Sequence, residues 1–402
     1  MSYDLTNDAE QVPGPSLPGI SAVHLRLVRK WSLVLGIILF LFLVLWWART
    51  VYTDLLWFDQ LGFRGVYSKI LLIKVGLFAG GTLVSAAALC LTLYVSYRFS
   101  FGPSTLTFSA DTFRLLGALL IAGAILIVLI TGPIFGSQAA DRWETILLFF
   151  NRINFGSTDP QFGLDLSFYV VTLRLLHFVQ GWFMGLMITA VVVSIALYLG
   201  MYSLRGLRFV LAQRMLKHMA VLGLLLMLSI AAGHALAVYE LVLSDGGVVF
   251  GATYTDINAR IPVLWLLTGI AVLAAAGFGV SHYRGGLRLM AGFFSLWVIM
   301  LLLANFAYPA LFQRLRVEPN ELNREEPYIV RNIEATRAAY QLDRISEVIY
   351  PVTGKLTEQA VKDNRSTIDN IRLWDLQPLQ DSYNQLQFME LYYHFLDMDS
   401  DR

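Results

Sequence analysis

The chain has 402 residues, of which 56% are hydrophobic and 15% charged, with a net charge of +1 and a mean hydropathy of +0.60. A soluble domain carries about 25% charged residues, so this is the composition of a polytopic membrane protein. The balanced total hides a basic first part (19 Lys/Arg against 13 Asp/Glu) and an acidic remainder from Pro309 onward (11 against 16), which gives no case for nucleic-acid binding.

Residues 1–24 are polar, carry Pro13, Pro15 and Pro18, and read as a disordered cytoplasmic arm. Arg26, Arg29 and Lys30 then precede a first apolar run, Trp31–Ala48. The WWARTVYTD that follows offers no A-x-A-like cleavage site, so the run reads as an uncleaved span and not a signal peptide. Further spans are expected at about 66–97, 113–133, 175–200, 215–239, 261–282 and 287–308. Each has the roughly 20 apolar residues a helix needs to cross a bilayer, and in lipid only helices keep the backbone of such runs paired. The single cysteine, Cys90, lies in the second run, which rules out an intrachain disulfide or a cysteine-based metal cluster. The pairs Gly76/Gly80 and Gly181/Gly185 have G-x-x-x-G spacing and are expected to let helices approach closely.

Charge in the linking segments sets orientation. Tyr202–His218 carries Arg205, Arg208, Arg214 and Lys217 with no acidic residue, and a short loop of that charge is held in the cytoplasm. Arg98, Arg114, Arg284 and Arg288 fall on the same side. The opposite loops mix arginine with Asp54, Asp59, Asp141, Glu144, Asp159, Asp165, Glu240, Asp245 and Asp256. Seven spans then leave the N-terminus in the cytoplasm and everything after Tyr308 outside.

The expected fold is therefore all-α: a seven-helix plasma-membrane domain over 25–309, then an extracytoplasmic segment of mixed α/β structure over 310–402. Two outer loops are expected to form short helices, interfacial ones lying in the headgroup plane or ones that pack on the tops of the spans. Leu55, Leu56, Phe58 and Leu61 make one apolar face beside Trp57, and Trp143, Ile146, Leu147 and Phe150 recur at i, i+3, i+4, i+7. In the last segment Pro327 suits a first helical residue, with Ile329, Ile333 and Tyr340 continuing a stripe. Pro378 suits the start of another helix carrying Leu379, Tyr383 and Leu386, and IRLWDL between them reads as a strand. The chain stops at DMDSDR without a closing element and reads as the beginning of something longer.

Catalytic and phosphate-binding motifs are missing: there is no G-x-x-x-x-G-K-[ST], H-E-x-x-H, G-x-S-x-G or C-x-x-C. Asp397, Asp399 and Asp401 resemble the start of a calcium loop but lack its Gly at position 6 and Glu at position 12, so they read as a solvated acidic terminus. No cofactor or metal is expected. Ionisable residues near the outer ends of the spans remain: Lys69, Lys74, His177, His234 and Glu240, with Asn305 and Gln180 as polar neighbours. They could line a vestibule open to the outside. Alternatively, the lysines snorkel to the headgroups and the histidines bond backbone or neighbouring side chains. The middle of the spans holds no Asp, Glu, Lys or Arg, which counts against a proton-coupled transporter.

Four stretches together resemble one bacterial family: DLLWFDQLGF (Asp54–Phe63), DPQFGLDLSFY (Asp159–Tyr169), GATYTDINARIP (Gly251–Pro262) and EPNELNREEPYIVRNIEATRAAYQLD (Glu318–Asp343). The family is the uncharacterised protein family zero-one-eight-two (UPF0182), large multi-pass membrane proteins. The resemblance implies a plasma-membrane location, an exported C-terminal side and a longer extracytoplasmic region than this chain carries; it implies no catalytic residues. The function expected from all of this is non-enzymatic: a membrane anchor presenting an extracytoplasmic module to another envelope protein or a cell-surface ligand, with the lipid bilayer as its constant partner. The alternative is a transporter or channel entered through the outer polar cluster.

Overall fold

A computed structural model describes residues 22–100, 110–204, 212–246, 250–284, 286–349, 356–371 and 375–386. Most of the expected N-terminal arm, Arg205 and Arg208 of the basic hairpin, and Asp397, Asp399 and Asp401 lie outside the described residues. The helices are α1 (Ala22–Gln60), α2 (Arg64–Phe99), α3 (Ala110–Asp141), α4 (Trp143–Phe150), α5 (Leu173–Leu204), α6 (Gln213–Glu240), α7 (Ile261–Arg284), α8 (Leu287–Met300), α9 (Tyr308–Phe312) and α10 (Glu321–Ala339). Four π-helical segments join them: π1 (Phe168–Thr172), π2 (Asp256–Arg260), π3 (Leu301–Ala307) and π4 (Gln313–Val317). Six helical stretches among the described residues are long and apolar enough to cross a membrane, and the first expected span lies within the continuous α1.

Two compact units divide the chain at Ala335/Thr336. In the first, α6 pairs with α7, and α2 with α3. Where α2, α3, α5 and α6 meet, Leu89, Val128, Phe135, Leu186, Met187, Ala190 and Leu222 fill one core. Leu216, Ala220, Met227, Ala274, Ala275, Phe278 and Met290 fill a second between α6, α7 and α8. The bundle thus has a hairpin end, where α2, α5 and α7 finish, and a loop-rich end, where α3 and α6 finish and α5 and α7 begin. All four π segments lie toward the loop-rich end.

Close helix approach occurs at different glycines from those expected. A Cβ placed on Gly76, Gly80 or Gly181 would meet nothing within 4 Å, and one on Gly185 would make only ordinary contact with Phe135. The tight crossing is between α2 and α3, where a Cβ on Gly81 would come to 3.1 Å from the Cα of Gly136. Spacing shows which glycines could share a face but not which face meets a neighbour.

Three further expectations are corrected and one helix is found where expected. Leu55, Leu56, Phe58 and Leu61 do not form a separate interfacial helix: α1 runs unbroken to Gln60, and the chain reverses at Gly62, whose φ of +77° suits glycine. The second expected interfacial helix is α4, although Phe150 projects outward. Pro133 does not end its span, since α3 continues to Asp141. A proline removes one helical donor, here the one for the Leu129 carbonyl, and packing against a neighbouring helix makes that tolerable. Pro327 lies inside α10, not at its start.

The second unit holds the end of α10 and three helices, α11 (Glu358–Asp363), α12 (Arg365–Ile368) and α13 (Leu376–Leu386). Thr357 caps α11 by accepting the Ala360 amide at 3.2 Å. No strand occurs among the described residues, so the mixed α/β expectation is not met there. The expected strand 371–376 lies partly outside them, and Leu376 already opens α13, two residues before the expected Pro378 start.

Candidate functional site

At the loop-rich end the last long helix does not stop where its apolar run stops. Helical structure continues past Tyr308 through α9 and π4 into the polar α10. The Tyr308 amide reaches back five residues to the Leu303 carbonyl, and Pro309 has no N–H for the carbonyl four residues back, that of Asn305. The widened turns carry polar groups: Asn305 on π3, Gln313 on π4, and Asp256 and Arg260 on π2. Such π turns recur at functional sites.

With Thr253, Thr255, Glu321 and Glu325, these residues line a cleft of about 500 Å³. Asp256 is 2% exposed and accepts the Thr253 amide at 3.0 Å, its hydroxyl at 2.9 Å, and Arg260 at 2.9 Å. Thr255 donates to Gln313. Glu325, 3% exposed, accepts the Tyr254 amide at 3.0 and 3.2 Å. Burial pushes the Glu325 carboxyl above its usual range; the Tyr254 amide opposes this, and the nearby Asp256 and Glu321 charges add to it. Arg324 donates to the Tyr254 hydroxyl at 2.7 Å and lies over its ring.

A smaller groove continues the contact. Arg331 donates to Gln161 at 3.2 Å, and Asn332 donates to the Phe250 carbonyl at 3.0 Å. The inward face of α10 is therefore mostly polar, made of Arg324, Glu325, Tyr328 and Asn332 with the half-buried Ile329, while Ile333 and Tyr340 of the expected stripe are exposed. Three of the four motif stretches thus meet at one end of the bundle.

The DPQFGLDLSFY stretch is a self-braced turn. Asp159, buried, accepts the Gln161 and Phe162 amides at 3.1 and 2.5 Å and the Tyr169 hydroxyl at 3.1 Å. Asp165 accepts the amides of Phe155, Gly156 and Ser167 at 3.0, 3.0 and 2.8 Å. Ser167's side chain first, and then these amides, hold the Asp165 carboxyl well below the usual range, at about 2. A group depressed on folding stabilises above its unfolded value, and that contribution is lost as pH falls through its folded value. Protection of 155–167 from hydrogen exchange, taken relative to the intrinsic rate at each pH, is therefore expected to hold at pH 5 and to fall between about pH 4 and 2, whereas Asp165→Asn is poorly protected throughout. An unchanged profile in the variant would remove Asp165 as the brace.

The six polar residues expected as one cluster lie in several places. Among them, His177 and Glu240 face each other at 3.6 Å. Lys74 sits over the Trp143 ring, 5.5 Å from its centre, and Lys69 is exposed. His234 is 3.3 Å from the Trp297 indole nitrogen, and Gln180 donates to the Ser229 carbonyl at 3.0 Å. Asn305 lines the cleft. Arg260, Gln313, Glu321 and Glu325 were not singled out from sequence, and Asp256 only for the charge of its loop; their signal was membership of, or nearness to, the motif stretches.

A bundle of long apolar helices carrying a polar, helix-capped cleft at one end defines a class of helical proteins suited to crossing a membrane several times. Within that class, residues 31–402 match the model of the uncharacterised protein family UPF0182. The chain belongs to that family. It is 37% identical to a UPF0182 protein of Cupriavidus necator over 364 residues, covering 87% of this chain and 39% of that protein. It is 36% identical to one of Moorella thermoacetica over 400 residues, 94% of this chain and 43% of that protein. The chain spans about two fifths of the length of these relatives. No solved structure matches it.

Proposed function

We propose that the chain is a non-enzymatic membrane anchor that presents an extracytoplasmic interaction module in the bacterial plasma membrane. In this reading α1 supplies a seventh span, the arginine-rich hairpin end lies in the cytoplasm, and the loop-rich end with α10 lies outside. The observation that carries it is the clamp on α10. Glu325, Arg324 and Asn332 tie the continuation of the last span to the 250–256 loop, and Arg331 ties it to the 159–169 turn. Such ties hold residues 324–332 of α10 against the loop-rich end of the bundle.

The cleft favours one second reading, a transporter or channel with an outward vestibule. Against that, Leu264, Leu267, Ala271 and Ala274 of α7, deeper than Arg260, are buried apolar residues that leave a passing polar solute no partners.

Cysteine labelling tests the anchor. In a Cys90→Ser background, a membrane-impermeant maleimide applied to intact cells is expected to label Tyr340→Cys and spare Lys217→Cys. The reverse pattern would end the proposed sidedness. Partners captured by the full chain are expected to be lost on removing residues after Pro309; an unchanged partner set would refute the module.

A further inference from the structure

A second polar pocket lies at the loop-rich end but away from the cleft, where α3 ends and α5 begins. It has a volume of about 420 Å³ and is lined by Gln138, Asp141, Arg142, His177, Gly181 and Trp182, with Phe178 beside Arg142. Three observations bear on what it can take, beside the Asp141 carboxylate in its lining. Arg142 and the nearby Lys74 have no carboxylate within 4 Å among the described residues, although each lies against an aromatic ring. The His177 Nε2 is buried without a hydrogen bond; the exposed Glu240 carboxylate stands 3.6 Å away, at ion-pair distance but too far for a hydrogen bond. Finally, a Cβ on Gly181 would meet nothing within 4 Å, so the glycine that sequence assigned to helix packing leaves open space at the pocket floor.

Arginine pairs with phosphate through two parallel N–H groups, and an imidazole N–H adds a third donor. The pocket also sits where the apolar parts of α3 and α5 give way to a tryptophan-bearing α4, the level at which aromatic belts and headgroups meet in a bilayer. We propose that this pocket binds the phosphodiester headgroup of a membrane phospholipid, with Arg142 and His177 on its phosphate oxygens and the lipid's acyl chains running down the exposed face of α5. This assignment does not depend on the anchor reading.

The test uses the full chain purified in mild detergent and read by native mass spectrometry and thermal shift. Phosphatidylglycerol is expected to be retained and to stabilise, whereas diacylglycerol, which has the same acyl chains without the phosphodiester, does neither. Arg142→Gln, which removes one charged contact, and Gly181→Leu, which fills the open space, are each expected to weaken retention about tenfold. Arg142→Lys should recover part of it, and Arg152→Gln, outside the pocket, should change nothing. Diacylglycerol retained as well as phosphatidylglycerol would overturn the proposal, as would stabilisation by inorganic phosphate equal to that by the lipid. Unaltered retention in a folded Gly181→Leu protein would overturn it as well, and that variant keeps the charge of the pocket intact.

Discussion

Replacing Glu325 by alanine is expected to release α10 from the bundle at a cost of about 1–3 kcal/mol, the penalty for leaving a buried donor unpaired. The donor is the Tyr254 amide, which both carboxylate oxygens now accept. Exchange of that amide, and of α10 residues 321–335, should quicken by about tenfold or more. Glutamine should behave differently. Its amide oxygen can take the same N–H without a charge, and charge is what burial and the neighbouring Asp256 and Glu321 penalise. Because folding raises the Glu325 pKa, the stabilisation is complete below its unfolded value of 4.5 and fades as pH rises through the folded one. Glu325→Gln is therefore expected to match or exceed the wild-type protein at pH 8 and to flatten the pH dependence of protection relative to the intrinsic exchange rate. Equal exchange in the wild type, Glu325→Ala and Glu325→Gln at all pH values would mean that the carboxyl holds nothing.

That clamp also marks where sequence reading stopped. The spans were legible because a bilayer demands length and apolarity in one unbroken run, and both are visible in a string such as Leu287–Tyr308. Which face of a polar helix is covered is not visible in the same way. In α10 a search for apolar periodicity selects Ile329, Ile333 and Tyr340, yet the neighbours of α10 are the loops at 159–169 and 250–256. Those loops offer backbone amides, carbonyls and a tyrosine, so Arg324, Glu325 and Asn332 turn inward and pair with them. Candidate site residues suffered from the converse assumption. A charge inside an apolar run stands out, whereas Asp256 and Glu325 sit among other polar residues and become unusual only through burial. The motif stretches pointed to the right place without saying why.

The largest effect in the bundle itself is expected from Gly136→Ala. A Cβ at Gly136 would collide with Thr82 Oγ1 and stand 2.6 Å from the Phe78 carbonyl oxygen. The first neighbour is a side chain and can be trimmed, but the second is backbone of α2 and can retreat only if the helices separate. Overpacking of this kind costs about 1–3 kcal/mol and occasionally more, and here the shift would propagate into the core around Leu89 and Phe135. Gly136→Ala should lower the thermal unfolding midpoint and the folded yield, and adding Thr82→Ala should restore only part of the loss because the Phe78 carbonyl stays in place. Gly76→Ala, Gly80→Ala and Gly181→Ala face open space, so they should be neutral or mildly stabilising, as replacing a helical glycine by alanine gains up to about 1 kcal/mol. A Gly80→Ala protein less stable than Gly136→Ala would place the helix contact back at the G-x-x-x-G pair and overturn the α2–α3 crossing described above. Full rescue by Thr82→Ala would show instead that the crossing is set by one hydroxyl and not by the approach of two backbones.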